Sequence, residues 1–92
     1  MIAARSALAR QDLEHASALA DAALERARAE AIDPKSSAFI GEALLVKAES
    51  QRGAGNGAAV ATASEALAHL QENLGPDHPL AVTARRLAQD AP

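Results

Sequence analysis

His78 stands between Asp77 and Pro79, and an imidazole beside a carboxylate is the residue pair most able to do acid–base or metal chemistry here. Either role needs a second group close by. The other two histidines, His15 and His69, fall in different helical runs and form no HxxxH pair on one helix face. His78 is therefore expected to be a junction residue and not a ligand. The glycine-rich stretch 53–57, GAGNG, has the composition of a phosphate cradle ahead of a helix. No strand precedes it and no Lys-Ser/Thr follows, so it reads as a flexible connection. Ser, His and Asp all occur, but no nucleophile-elbow motif associates them. Asp21, Glu25 and Glu30 recur on the polar side of an amphipathic helix, where a solvated face is the simpler account. The expectation is a protein that is not an enzyme, with no cofactor and no metal.

The elements that carry these residues follow from composition. Alanine occupies 26 of 92 positions and Phe39 is the sole aromatic, which calls for close-packed helices with short side chains at their contacts. Such a composition argues against a roomy apolar pocket, and sparse β-branched residues argue against strands. The expected fold class is all-α, in one small domain with a thin core. Nine basic residues against twelve acidic ones, net −3, give no electrostatic case for nucleic acid. Cysteine is absent, which removes disulfides and thiolate zinc sites. No apolar run approaches the roughly 20 residues needed to cross a bilayer, and the opening MIAARSALAR is too short and weakly apolar for a secretory signal. A cytoplasmic protein with no membrane partner is expected.

Apolar spacing and turn signals divide the chain into five helical segments. The first covers about residues 2–10, with Ala4, Ala7 and Leu8 near one face. Asp12 is placed to cap the second, about 13–31, whose Ala16, Ala20, Ala23, Leu24 and Ala27 share a side. Asp33-Pro34 reads as cap and first residue of the third, which carries Phe39, Ile40, Leu44 and Leu45 to about Gln51. The fourth spans about 58–73, and Gly75 supplies a left-handed ending. Asp77 is the expected cap of the fifth, about 80–90.

Shifting the chain by 43 residues sets Ala16 on Ala59, Ala20 on Ala63, Ala23 on Ala66, Leu24 on Leu67, and Leu44 on Leu87. One buried face thus occurs twice, the mark of a helix-pair repeat. The repeats would occupy about 1–32 and 33–75, with a terminal helix over 76–92.

Residues 66–88, ALAHLQENLGPDHPLAVTARRLA, then point to a family. Ala66, Leu67, Ala68, Leu74, Gly75, Pro76, Asp77, His78, Pro79, Leu87 and Ala88 resemble the tetratricopeptide repeat, in the lengthened form of kinesin light chains and many bacterial signalling proteins. The usual unit is about 34 residues. The resemblance implies a solenoid of antiparallel helix pairs in which A helices, here the first, third and fifth segments, line a concave groove. It also implies a protein-binding, scaffold-like role. Where light-chain repeats carry paired Asn on the A helix, this chain has Glu42-Ala43 and Arg85-Arg86.

Two kinds of function stay open. A concave face built from Arg5, Leu44, Gln51, Arg52, Arg85 and Arg86 would take a protein or peptide partner, an acidic one by the chemistry of guanidinium forks. Each arginine has the alternative of an ordinary surface charge, some paired with Glu42 or Glu49. The second kind is a homodimer through exposed Leu8 or Leu87 on the unpartnered end helices.

Overall fold

The computed structural model describes residues 2–33 and 36–89, and these form an all-α domain. Among the described residues the helices are α1 (Ile2–Ala9), α2 (Leu13–Glu30), α3 (Ala38–Gly53), α4 (Ala59–Leu74) and α5 (Pro79–Gln89). Short connections turn each helix back on the one before. Leu13 at the start of α2 meets Gly53 at the end of α3, and Leu70 near the end of α4 meets Gly41 near the start of α3. Both pairings are antiparallel. Helix α3 touches all four others, while α2 and α4 flank it without their backbones meeting. The result is a zigzag of two layers, α1, α3 and α5 in one and α2 and α4 in the other. Its smallest extent, 19 Å, is that of two packed helices.

The core explains the alanines. Leu24, Ile40, Leu44, Leu45, Leu70 and Leu87 supply bulk, and Ala43, Ala48, Ala63, Ala66, Ala81 and Ala84 let the helices close around them. At Gly41 the approach is closest, because a Cβ there would lie 2.8 Å from Leu70 Cγ. The expected repeated face is present in part: Ala16 and Ala20 on α2, and Ala59 and Ala63 on α4, are all buried, while Ala23 and Leu67 are half-buried where their equivalents Ala66 and Leu24 are buried.

The helix starts correct the sequence reading in two places. Asp12 caps α2 as expected, accepting from the His15 amide at 3.3 Å. Asp33 does not cap α3; Ser37 does, with its hydroxyl 3.4 Å from the Ile40 amide. The later start follows from a tertiary contact, since the Ser37 N–H donates to His69 Nδ1 on α4 at 3.0 Å. Nor does Asp77 cap α5. His78 does so itself: its Nδ1 accepts from the Leu80 amide at 3.1 Å, and its carbonyl accepts from Val82. Gly75 has positive φ, at φ 93 and ψ 155, an extended conformation open to glycine and not the left-handed helical one expected. Pro34 and Asp90, assigned to helix ends above, lie outside the described residues.

The 43-residue shift relates α3 to α5 as well: it sets Gly41 on Ala84 and Leu44 on Leu87, all four buried, and Phe39 on Val82, both exposed. It carries Ala38, the first residue of α3, onto Ala81, the third of α5. The outer face of α5 holds Val82, Arg86 and Gln89, all three exposed to solvent. Helix α5 thus closes its end of the stack with a mostly polar outer face, as a capping element does.

Ala63 is fully buried and Ala61, on the same helix, is exposed. Ala63→Leu is expected to cost about 1–3 kcal/mol by overpacking. Ala61→Leu should stay within about 0.5 kcal/mol of the parent. Urea unfolding followed by circular dichroism measures both.

Candidate functional site

One exposed feature lies where helices of unequal length meet. Helix α1 has 8 residues and lies against α2, which has 18. At 1.5 Å per residue that is about 12 Å of cover on about 27 Å of helix. Ala4 packs with Ala20 and Val46 in a satellite cluster that Leu8 and Leu19 border. Among the described residues the C-terminal half of α2 has an open side beyond this cluster. A groove of about 610 Å³ runs there, floored by Ala22, Ala23, Ala27 and Ala31 and bounded by Ala3, Ala4, Leu19 and Phe39. Arg26 and Glu30 stand among its lining residues. Both are exposed, and neither takes part in an ion pair among the described residues.

Phe39, the second residue of α3, is 77% exposed, and Ile32, in the connection before it, is 105% exposed. Phe39 thus sets a phenyl ring in water beside an alanine-lined groove. The sequence reading placed Phe39 on the third helix with Ile40, Leu44 and Leu45; of these four, Phe39 alone is exposed. Alanines leave an open trough because their side chains are too short to fill the space beside α2.

The residues expected to face a partner are not gathered into one surface. Leu44 is in the core, 3% exposed, and offers nothing to a ligand. Arg5 is half-buried, with Nε 3.4 Å from Glu42 Oε1 on α3. Arg85 folds over the turn before its own helix, donating to the Pro76 carbonyl at 3.1 Å and to Gln71 Oε1 at 3.5 Å. Both arginines thus serve the fold. Gln51 is half-buried at the side of a shallower hollow between the start of α2 and the end of α3, and its Oε1 is buried without a hydrogen-bond partner. Arg52 is exposed in the last turn of α3, and Arg86 is exposed on α5. Of the two leucines expected at a dimer contact, Leu8 is half-buried against the satellite cluster. Leu87 is 7% exposed and belongs to the main core, which corrects its assignment as exposed surface. It is spent on α5's own docking.

His78 is accounted for by its cap. Its ring acts as a hydrogen-bond acceptor at Nδ1, and His69 does the same for the start of α3. One carboxylate is electrostatically unusual. Burial pushes the Glu49 carboxyl above its ordinary value of 4.5, with the Arg5 guanidinium pulling weakly the other way. Among the described residues no cluster of three His, Cys, Asp or Glu side chains is placed to hold a metal ion, and no helix is long and apolar enough to cross a membrane.

The groove was partly legible in advance. A lone aromatic in an alanine-rich chain and an eight-residue helix ahead of a much longer one are both visible in the sequence. What was missing is that Phe39 points away from the core. Set against protein-family models, characterised proteins and solved structures, the chain matches none of them.

Two measurements check these assignments. Because burial raises Glu49 in the folded state, its contribution favours folding most when protonated and is lost as pH rises through the raised value. Glu49→Gln should therefore melt higher than the parent at neutral pH, with the difference closing as pH falls toward about 4. His78→Ala should destabilise by about 0.5–2 kcal/mol, and His78→Asn, which restores a side-chain acceptor at the cap, by much less.

Proposed function

We propose that this chain is a non-catalytic protein-interaction module, a tetratricopeptide-like stack of helix pairs working in the cytoplasm within a larger regulatory or scaffold assembly of the bacterial signalling kind. It acts by binding alone. The observation that carries the reading is the groove beside α2, where alanines and Phe39 present apolar surface to water. It supports the reading better than the arginine face does, because Arg5 and Arg85 are engaged within the fold.

The groove's shape favours a helical occupant. It continues the line of α1 along α2 for roughly 15 Å, about ten residues of helix. A partner helix with small and medium apolar side chains on one face would complete the cover that α1 begins, by the helix-in-groove mode. Burying Phe39 would contribute on the order of 1.5–3 kcal/mol, and the charges of Arg26 and Glu30 at the groove would orient the incoming segment.

A synthetic amphipathic helical peptide with leucines on one face is the probe. Titrated into the isotopically labelled protein, it should shift the amide resonances of Ala22, Ala23, Ala27 and Phe39. Phe39→Glu should weaken its binding at least about tenfold. If such peptides shift nothing in the groove, the reading is wrong.

A further inference from the structure

We infer that the partner seated on this groove is a second copy of the same chain, in a two-fold symmetric dimer through the C-terminal half of α2. The inference rests on the interaction-module reading and names its occupant. Three observations lead to it.

The first is charge. Arg26 and Glu30 are one helical turn apart at the groove, opposite in sign and without ion-pair partners among the described residues. With the two-fold axis perpendicular to α2 the two helices run antiparallel, so Arg26 of each copy meets Glu30 of the other. The same surface is then its own electrostatic complement, the condition an isologous interface must meet.

The second is shape. The face carries a projection and a trough side by side: Phe39 stands 77% exposed at the edge of a groove floored by Ala22, Ala23 and Ala27. Two-fold symmetry places each phenyl ring over the other copy's alanines. Short side chains let the two α2 helices approach closely, as the alanines inside the monomer already do for α3 and α4.

The third is the contrast between the two ends of the stack. Head-to-tail stacking would need the outer face of α5 to pack as α3 does. That face holds Val82, Arg86 and Gln89, all exposed to solvent. A desolvated Arg86 without a partner carboxylate disfavours that contact. The α2 end is apolar and the α5 end is mostly polar, so pairing like end with like end closes after two copies.

Sedimentation velocity on the full 92-residue chain from micromolar to millimolar concentration is the test. A reversible monomer–dimer equilibrium is expected, weakened at least about tenfold by Phe39→Glu. Arg26→Glu alone should weaken it several-fold. Adding Glu30→Arg to that variant should restore it, because a two-fold axis re-forms both ion pairs with their signs exchanged. All the altered positions are exposed, and circular dichroism verifies that the variants stay folded. A monomer throughout the range overturns the inference, as does a dimer indifferent to Phe39→Glu or a double variant no better than the single one. The amphipathic peptide separates the two readings. A monomer whose groove still binds it ends the dimer and keeps the interaction module, whereas a monomer that ignores it ends both.

Discussion

The structure depends on burying α3 on nearly every side. Residues 43–46 form an unbroken buried run, and Ile40, Gly41, Ala48 and Ser50 extend it before and after. A helix with so many buried positions has to be surrounded, and here the four other helices must do it. Close approach is the only means available to a chain with a single aromatic. Gly41 leaves room for Leu70, and alanines on α4 and α5 fill the gaps that larger side chains would force open. The one buried polar side chain on α3, Ser50, is satisfied inside its own helix, donating to the Val46 carbonyl at 2.8 Å. Alanine content is thus a consequence of the packing problem and carries no functional message by itself.

This dependence explains what the sequence discloses. Periodicity located all five helices to within a few residues except at the start of α3, and the Ala16–Ala20 and Ala59–Ala63 faces were readable because local spacing determines them. Asp12 was readable as a cap for the same reason. The starts of α3 and α5 were not, because their hydrogen bonds use histidines as acceptors. His69 reaches Ser37 from a different helix, and the local acid, Asp33, therefore loses the position to a tertiary contact. His78 displaces its neighbour Asp77 through a ring nitrogen, an unusual acceptor in that place. The family-like Gly-Pro-Asp-His-Pro segment is a helix junction, and its histidine is spent on backbone geometry.

The candidate site was less legible than the fold, and the reason is again packing. Arginines were grouped as a surface because they share one set of helices. Arg5 instead lies across to Glu42, and Arg85 lies back over Pro76, so long side chains close gaps that alanines leave. Leu87 looked exposed because it sits on the last helix, yet α5 can dock only by burying it. Phe39 stood in the apolar run of the third segment with no face assigned to it. Its place, one residue before Ile40 on α3, turns it outward while Ile40 takes the core.

The surplus apolar surface follows from the same economy of small residues. Helix α2 is long because its inner face must run the length of α3, where Ala16, Ala20 and Leu24 are buried in turn. Helix α1 is shorter, and it buries Ala4 and Ala7. Between the two lengths lies a surface as small-residued as the interior, because the alanines of α2 serve the core on one flank and face water on the other. A surface built like a core has the shape to pack against another helix. The exposed charges of Arg26 and Glu30 and the ring of Phe39 then decide which helix that is, and they match one another across a two-fold axis.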